Sequence, residues 1–382
     1  MKKGILFFLA LACTMLHAAT AVGKICNILD YGAKPDNSTD SSAALLAAFD
    51  SCVKPNLPNN PTLLVPIGTF LLSKNVLFKG DGWTFTLKGN IVIAFDPALV
   101  GSLIHFFYVS NFEFNGHGTI DGQGRLWSVN GKPMFHMTVL GNNTQVYNIR
   151  IHGEDHGATD GIDIGGWHNH VHHVHVTNRD ECVTVASPSS NILIENVFCD
   201  NAGATNIGSL GKGGGTAFIQ NIVMRNNVYY QTEWAVGIKA YPCANGIVRN
   251  ITWENLIMDQ VVYPVYIDMF WQNCDKGVAN GNLKIRGITI NNVTGTSATR
   301  RPGMNFKCIP NSPCEKIAVT NSKIWRDDGT AGYDQCENAL GTGSCLGTKA
   351  TMTTMMFSPM SSPLPKHTIP KSGWPRTDPL GL

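Results

Sequence analysis

Beyond its first residues the chain has no apolar run long enough to cross a bilayer, so no membrane-spanning helix is expected. Charge is sparse: Asp, Glu, Lys and Arg make up 15 % of the residues and the formal net charge is +2. No basic block breaks that balance, which argues against nucleic acid or an anionic membrane as partner. Without Lys2 and Lys3, 27 basic residues face 27 acidic ones. A polyanionic ligand would be met by a few placed side chains rather than by a global field. Paired zinc-type cysteine spacings are missing, so neither a metal nor another cofactor is expected. Long amphipathic helical patterns are nearly absent, which argues against alternating α/β units.

What is present begins with an export signal. "MKKGILFFLALACTMLHAATAVG" joins two lysines to an apolar core from Ile5 to Leu16 and a small-residue cleavage site at Ala19-Thr20-Ala21. Residues 1–21 are therefore expected to be removed and the protein to be secreted, as a monomer. Of eleven cysteines only Cys13 falls in that segment, leaving an even ten for an oxidising compartment. Short spacings pair Cys308 with Cys314 and Cys336 with Cys345. Asn37, Asn142, Asn250 and Asn292 open sequons compatible with glycosylation.

Internal repetition carries the fold. A six-residue phrase, roughly polar-apolar-x-apolar-x-Asn or Gly, starts at Asn111, Asn148, His173, Asn191, Asn221, Asn250, Gly287 and Lys316. Each copy alternates like a strand and closes on a residue that tolerates a sharp turn. The spacings of 18 to 37 residues are too uneven for propeller blades or a β-sandwich. They suit an all-β, right-handed parallel β-helix, in which each coil covers the apolar face of the last. Asp40 to Cys52 is the one good helix, with Ala44, Leu45, Ala48 and Phe49 on one face, and it would cap the first coil. The β-helix is expected over 22–357. A tail over 358–382, with six prolines, is expected to hold no regular structure.

The stretch from Ala158 to Lys239 holds "ATDGIDIGG", "NRDECVTVASPSSNI", "NIGSLG" and "GIK" in order. Asp160 and the pair Asp180–Glu181 lie about one coil apart, so their carboxylates would stack on neighbouring strands about 4.8 Å apart. Crowded carboxylates cannot all ionise freely, so one should keep a proton near working pH. Glycoside hydrolysis needs that division of labour: one carboxyl gives a proton, another activates water. Asp163 reads as turn chemistry. The run His168–His175 reads as stacked-coil histidines rather than metal ligands. Trp167, Trp234 and Trp271 are either groove or packing aromatics.

This order of motifs resembles glycoside hydrolase family 28, the pectin-degrading polygalacturonases and rhamnogalacturonases. The family's motifs are Asn-Thr-Asp, a neighbouring acidic pair, Gly-His-Gly and Arg-Ile-Lys. Here stand Ala158-Thr159-Asp160, Asp180-Glu181, a glycine-rich segment with Gly203 in the histidine's place, and Gly237-Ile238-Lys239. The resemblance makes Asp180 the general acid, Asp160 and Glu181 the shared base, and the outcome inversion. It also supports Cys26–Cys52 and Cys182–Cys199, leaving Cys243 for Cys274. Lys239 is expected to bind a substrate carboxylate, with Tyr241 beside it.

Losing the histidine and the arginine suits a galacturonate on one side of the scissile bond and neutral rhamnose on the other. The implied activity is hydrolysis of α-1,2 galacturonate–rhamnose links in the rhamnogalacturonan I backbone of pectin. An exo-acting relative, a polygalacturonase, a β-helix polysaccharide lyase and a non-catalytic pectin-binding solenoid stand as alternatives.

Overall fold

The repeated phrase is a strand with a corner at each end. In every copy the opening residue has left-handed backbone, with φ between 47° and 68° from Asn111 to Lys316. Closing residues Asn196, Asn226, Asn255, Asn292 and Asn321 do the same, at 50° to 55°. Asparagine recurs because its short amide tolerates this region better than most side chains. These corners also bond from coil to coil. Asn250 Nδ2 donates to Asn221 Oδ1 at 3.1 Å, and Asn221 Nδ2 to Asn191 Oδ1 at 2.9 Å. A second ladder runs from Asn292 through Asn255 to Asn226.

The computed structural model describes residues 23–99, 101–130, 135–153, 159–275, 278, 280–298, 301–330, 332–348 and 356–359. Residues 1–21, Ala158 and the tail beyond Pro359 lie outside them. Of twenty-five strands among the described residues, twenty-four wind into a parallel β-helix, each coil laddered to its neighbours. On the face that carries the site, interior positions stack as Val139, Ile164, Val185, Ile207, Ile238, Ile267 and Phe306. All seven are fully buried. Each aliphatic member contributes about 1.5–3 kcal/mol relative to exposure, so the column fixes the register of the strands around it.

An open coil end would leave such a column in water. At the N-terminal end the helix Ser42–Ala48 and the helical turn Phe49–Val53 cover it. Ala44, Leu45, Ala48 and Phe49 are buried, and the Phe49 ring centroid lies 5.0 Å from those of both Phe78 and Trp83. Asp40 anchors the helix start by accepting from Ser42 N at 2.9 Å and Ser73 N at 3.1 Å. At the other end, Met356–Pro359 runs antiparallel to Tyr333–Glu337. Ser358 and Pro359 thus belong to a strand, contrary to the expectation for the tail. Proline is tolerated there because it ends an edge strand.

Candidate active site

Six strands lie side by side across the site: Phe135–His152, Ile162–Trp167, Val183–Asp200, Thr205–Leu210, Trp234–Ala240 and Tyr263–Asp268. Ladder register aligns Thr138, Asp163, Thr184, Asn206, Gly237 and Tyr266 in one outward column. Asp160 lies in the turn before the second strand, and Asp180 and Glu181 in the turn before the third. One coil apart, the three bring carboxyl oxygens within 4.8 Å of one another. Asp160 and Asp180 are partly exposed, whereas Glu181 is 5 % exposed. A groove of about 480 Å³ opens beside Thr138, Asp163 and Thr184 of this column, lined also by Ala186 and Lys212 among others.

The two acidic turns are tied together through their backbones. Asn178 is fully buried and donates Nδ2 to Thr159 O at 2.7 Å and to Glu181 O at 3.1 Å. Its Oδ1 accepts from Asp180 N at 3.3 Å. One amide therefore joins the turn of Asp160 to the turn of Asp180. The backbone N–H of His136 donates to Asp160 O at 2.9 Å, so the coil below holds the first turn as well. Gly203 presses against the second: its N–H donates to Asp180 O. A Cβ at Gly203 would lie 2.4 Å from Asp180 O and 2.8 Å from Glu181 N. Any side chain at 203, histidine included, would displace the acidic pair's own backbone.

Crowding shapes the protonation of this cluster. Asp160 is pushed well above the usual carboxylate range, first by burial, then by the charges of Asp180 and Asp163. A hydrogen bond from its side chain to that of Asp180 pushes it up further. Asp163 rises to about 7, again through burial first and the Asp180 charge second. Lys239 opposes both shifts. Burial pulls its own ammonium down, and the charges of Asp160, Asp180 and Asp163 hold it up.

Lys239 stands two coils beyond the acidic pair, and its partner is internal. It is 6 % exposed and forms an ion pair with Glu181. Its Nζ lies 4.7 Å from the Trp271 ring centroid and 6.0 Å from that of Trp234, so two of the candidate aromatics box the cation. Without substrate its charge is met by the acid cluster. Tyr241 departs from expectation too. It is 6 % exposed and donates its hydroxyl to Gln272 Oε1 at 2.8 Å, so its ring is packed rather than offered to a sugar.

The histidines engage partners of their own. His170 Nε2 meets Glu195 Oε1 at 3.0 Å, and His172 stacks on Tyr147 at 4.8 Å. His173 occupies a corner, with φ of 51°. Five disulfides join Cys26–Cys52, Cys182–Cys199, Cys243–Cys274, Cys308–Cys314 and Cys336–Cys345. Asn37, Asn142, Asn250 and Asn292 are all exposed, although the last two donate Nδ2 within the corner ladders.

Three residues at the site escaped the sequence reading. Asp163 is no turn residue: it lies in the strand Ile162–Trp167 and points outward between buried Ile162 and Ile164. That alternation was the signal available. Asn206 donates Nδ2 to Glu181 Oε1 at 3.0 Å, and Tyr266 reaches Asn206 from two coils away. Asn206 opens the "NIGSLG" segment, but neither position was read as a site residue.

Known proteins share both sequence and shape with this chain. The family model described as Glycosyl hydrolases family 28 matches residues 128–345. Probable rhamnogalacturonase E of Aspergillus niger is 34 % identical over 378 residues, covering 88 % of this chain and 81 % of that protein. Rhamnogalacturonase B of Aspergillus niger is 32 % identical over 419 residues, covering 94 % and 72 %. The endo-xylogalacturonan hydrolase of Aspergillus tubingensis superposes with a TM-score of 0.65 at 20 % identity, covering 85 % of this chain and 99 % of that one. For the exopolygalacturonase of Thermotoga maritima the TM-score is 0.64 at 18 % identity, covering 90 % and 95 %. At such identities the structural likeness speaks for the β-helix alone.

Proposed function

The chain belongs to glycosyl hydrolases family 28 and is a glycoside hydrolase, and from that premise we propose a secreted enzyme that cleaves galacturonate–rhamnose links in rhamnogalacturonan. The observation that carries the reading is the set of Asp160, Asp180 and Glu181, with carboxyl oxygens within 4.8 Å and the carboxyl of Asp160 pushed up by burial and by Asp180. Binding alone has no need of three crowded acids, and the crowding costs stability. A lyase would want a basic catalytic group, yet the cation at this site is paired with Glu181.

The steps take Asp180 as acid from the family resemblance and the proton held in the Asp160–Asp180 pair from its crowding. Asp180 gives that proton to the departing glycosidic oxygen as its bond to the anomeric carbon breaks. Glu181 stays a carboxylate against Lys239, and with Asp160 it holds the attacking water. The proton that this water loses returns to the Asp160 side of the cluster, restoring one proton to the pair.

Substrate choice is supported by what the groove lacks and by its relatives. Gly203 and Gly237 carry no side chain that could hold a second uronate. The charge of Lys239 is committed to Glu181, while exposed Lys212 on the groove wall can meet one carboxylate. That pattern favours a charged sugar next to a neutral one, and several relatives are named rhamnogalacturonases.

Stereochemistry is the point at which a second reading has support. Carboxyls about 6.5–9.5 Å apart are usual for inversion, and about 5–5.5 Å for retention. Here one oxygen from each of the three acids lies within 4.8 Å of the others, a crowding closer to the retaining case. Two carboxylates sharing one water favour inversion, which is the reading adopted. Proton NMR of the first product from rhamnogalacturonan tests function and outcome together. The expected product is a β-configured galacturonate reducing end; an α-configured one would establish retention, and no new reducing end would refute rhamnogalacturonan as the substrate.

A further inference from the structure

Tyr266 adds to the acid cluster a side chain that no motif pointed to. It stands on the outward column one coil beyond Gly237, and it is 4 % exposed. Its ring lies directly over that glycine. A Cβ built at Gly237 would come within 2.4 Å of Tyr266 Cε1 and Cζ, closer than side chains pack. Gly237 does not have positive φ, so its backbone conformation would accept other residues. The ring is what demands a glycine there.

The tyrosine hydroxyl touches the machinery through one intermediary. Asn206 Nδ2 donates to Tyr266 Oη at 3.4 Å and to Glu181 Oε1 at 3.0 Å. Asn206 is fully buried, and its Oδ1 has no partner, so these two bonds set its orientation. Were the amide turned over, its oxygen would face the Glu181 carboxylate, which can only repel it. Burial above all pushes the Tyr266 phenol up, so the group facing Asn206 is a neutral hydroxyl at any working pH.

We propose that Tyr266 is a positioning residue of this site: its ring fills the volume left free at Gly237, and its hydroxyl, through Asn206, fixes the Glu181 carboxylate. The proposal rests on reading Asp160, Asp180 and Glu181 as the hydrolytic set. It gives Gly237 a second meaning. Any side chain there, the arginine of related motifs included, would displace the ring and free Asn206. The neutral character of this end of the site is therefore built in by packing.

Two experiments test it, one of which needs no substrate. Tyr266→Phe keeps the ring and removes the hydroxyl. On whichever pectic polymer the wild type hydrolyses, kcat should fall about threefold to tenfold with KM unchanged, the size expected for one neutral hydrogen bond. Asn206→Ala, which unhooks Glu181 itself, should cost about tenfold to a hundredfold. An unchanged kcat for Tyr266→Phe would overturn the proposal. So would a rise in KM alone, which would mark Tyr266 as a substrate contact.

The second experiment is a thermal cycle of Gly237→Ala, Tyr266→Ala and the double variant. Gly237→Ala should lower the unfolding midpoint, and the double variant should unfold above the sum of the two single losses, because each single change spoils the same contact. Additive losses would refute the ring–glycine pairing. A wrong substrate assignment would leave this arm untouched.

Discussion

Lys239→Met removes the cation that meets Glu181 while keeping a similar apolar volume between Trp234 and Trp271. Glu181 is 5 % exposed and Lys239 6 %, so the pair is buried and its loss cannot be made good by water. Removing one partner of such a pair costs about 3–5 kcal/mol. The Asn206 bond at 3.0 Å survives, and the carboxylate can take up a proton. Both soften the loss, which places the expected cost near 3 kcal/mol. Urea denaturation at neutral pH reads it. Combining Lys239→Met with Glu181→Gln should recover most of the loss, because no unpaired charge then remains.

The same substitution should move the pH dependence of activity. Lys239 holds Asp160 and Asp163 down against burial and the Asp180 charge. Without it their protons are kept to higher pH, so in whatever activity remains the alkaline limb of kcat/KM should shift upward. A cost under about 1 kcal/mol, or a double variant as unstable as the sum of its parts, would refute the claim that this pair anchors Glu181.

Asp180→Asn should abolish hydrolysis with folding intact, since an amide cannot give the leaving oxygen its proton; substantial turnover by well-folded protein would exclude Asp180 as the acid. Asp163 binds its proton up to about pH 7 when folded, against 3.8 for the ordinary group. The folded state therefore holds more protons in that window, and this group's contribution to stability falls as pH rises from about 4 to 7. Asp163→Asn should flatten that slope and stabilise the protein at neutral pH, as chemical denaturation across the range would show. An unchanged slope would mean that Asp163 is not the titrating group.

Local patterns were legible where one coil decides the outcome. The Ile and Val alternation of the repeated phrase and the Ala44–Phe49 face are properties of single elements, and both appear in the structure as read. The opening residues of the phrase were legible only in part. Their asparagines were seen as repeats, but left-handed corners at both ends, laddered from coil to coil, are relations across 29 to 37 residues. The same distance in sequence hid the inner partners of the site. Lys239 was found, but a lysine in an apolar strand does not announce whether it faces a sugar or Glu181, 58 residues away. Tyr266 and Asn206 meet only because two coils stack in register. Asp163 was different: its outward direction was written in Ile162-Asp163-Ile164, and the spacing from Asp160 suggested a turn instead.

The central claim is the choice of substrate, and one measurement tests it most directly. De-esterified rhamnogalacturonan and polygalacturonate are digested in parallel with chelator present, and initial rates and product sizes are compared. Each missing charge-assisted bond costs about 1.5–3 kcal/mol, so two empty positions, Gly203 and Gly237, could separate the polymers by two to four orders of magnitude in rate. The account predicts oligomers from rhamnogalacturonan, with galacturonate at the new reducing end, and little or nothing from polygalacturonate. Comparable rates on both polymers would contradict it and restore the polygalacturonase reading.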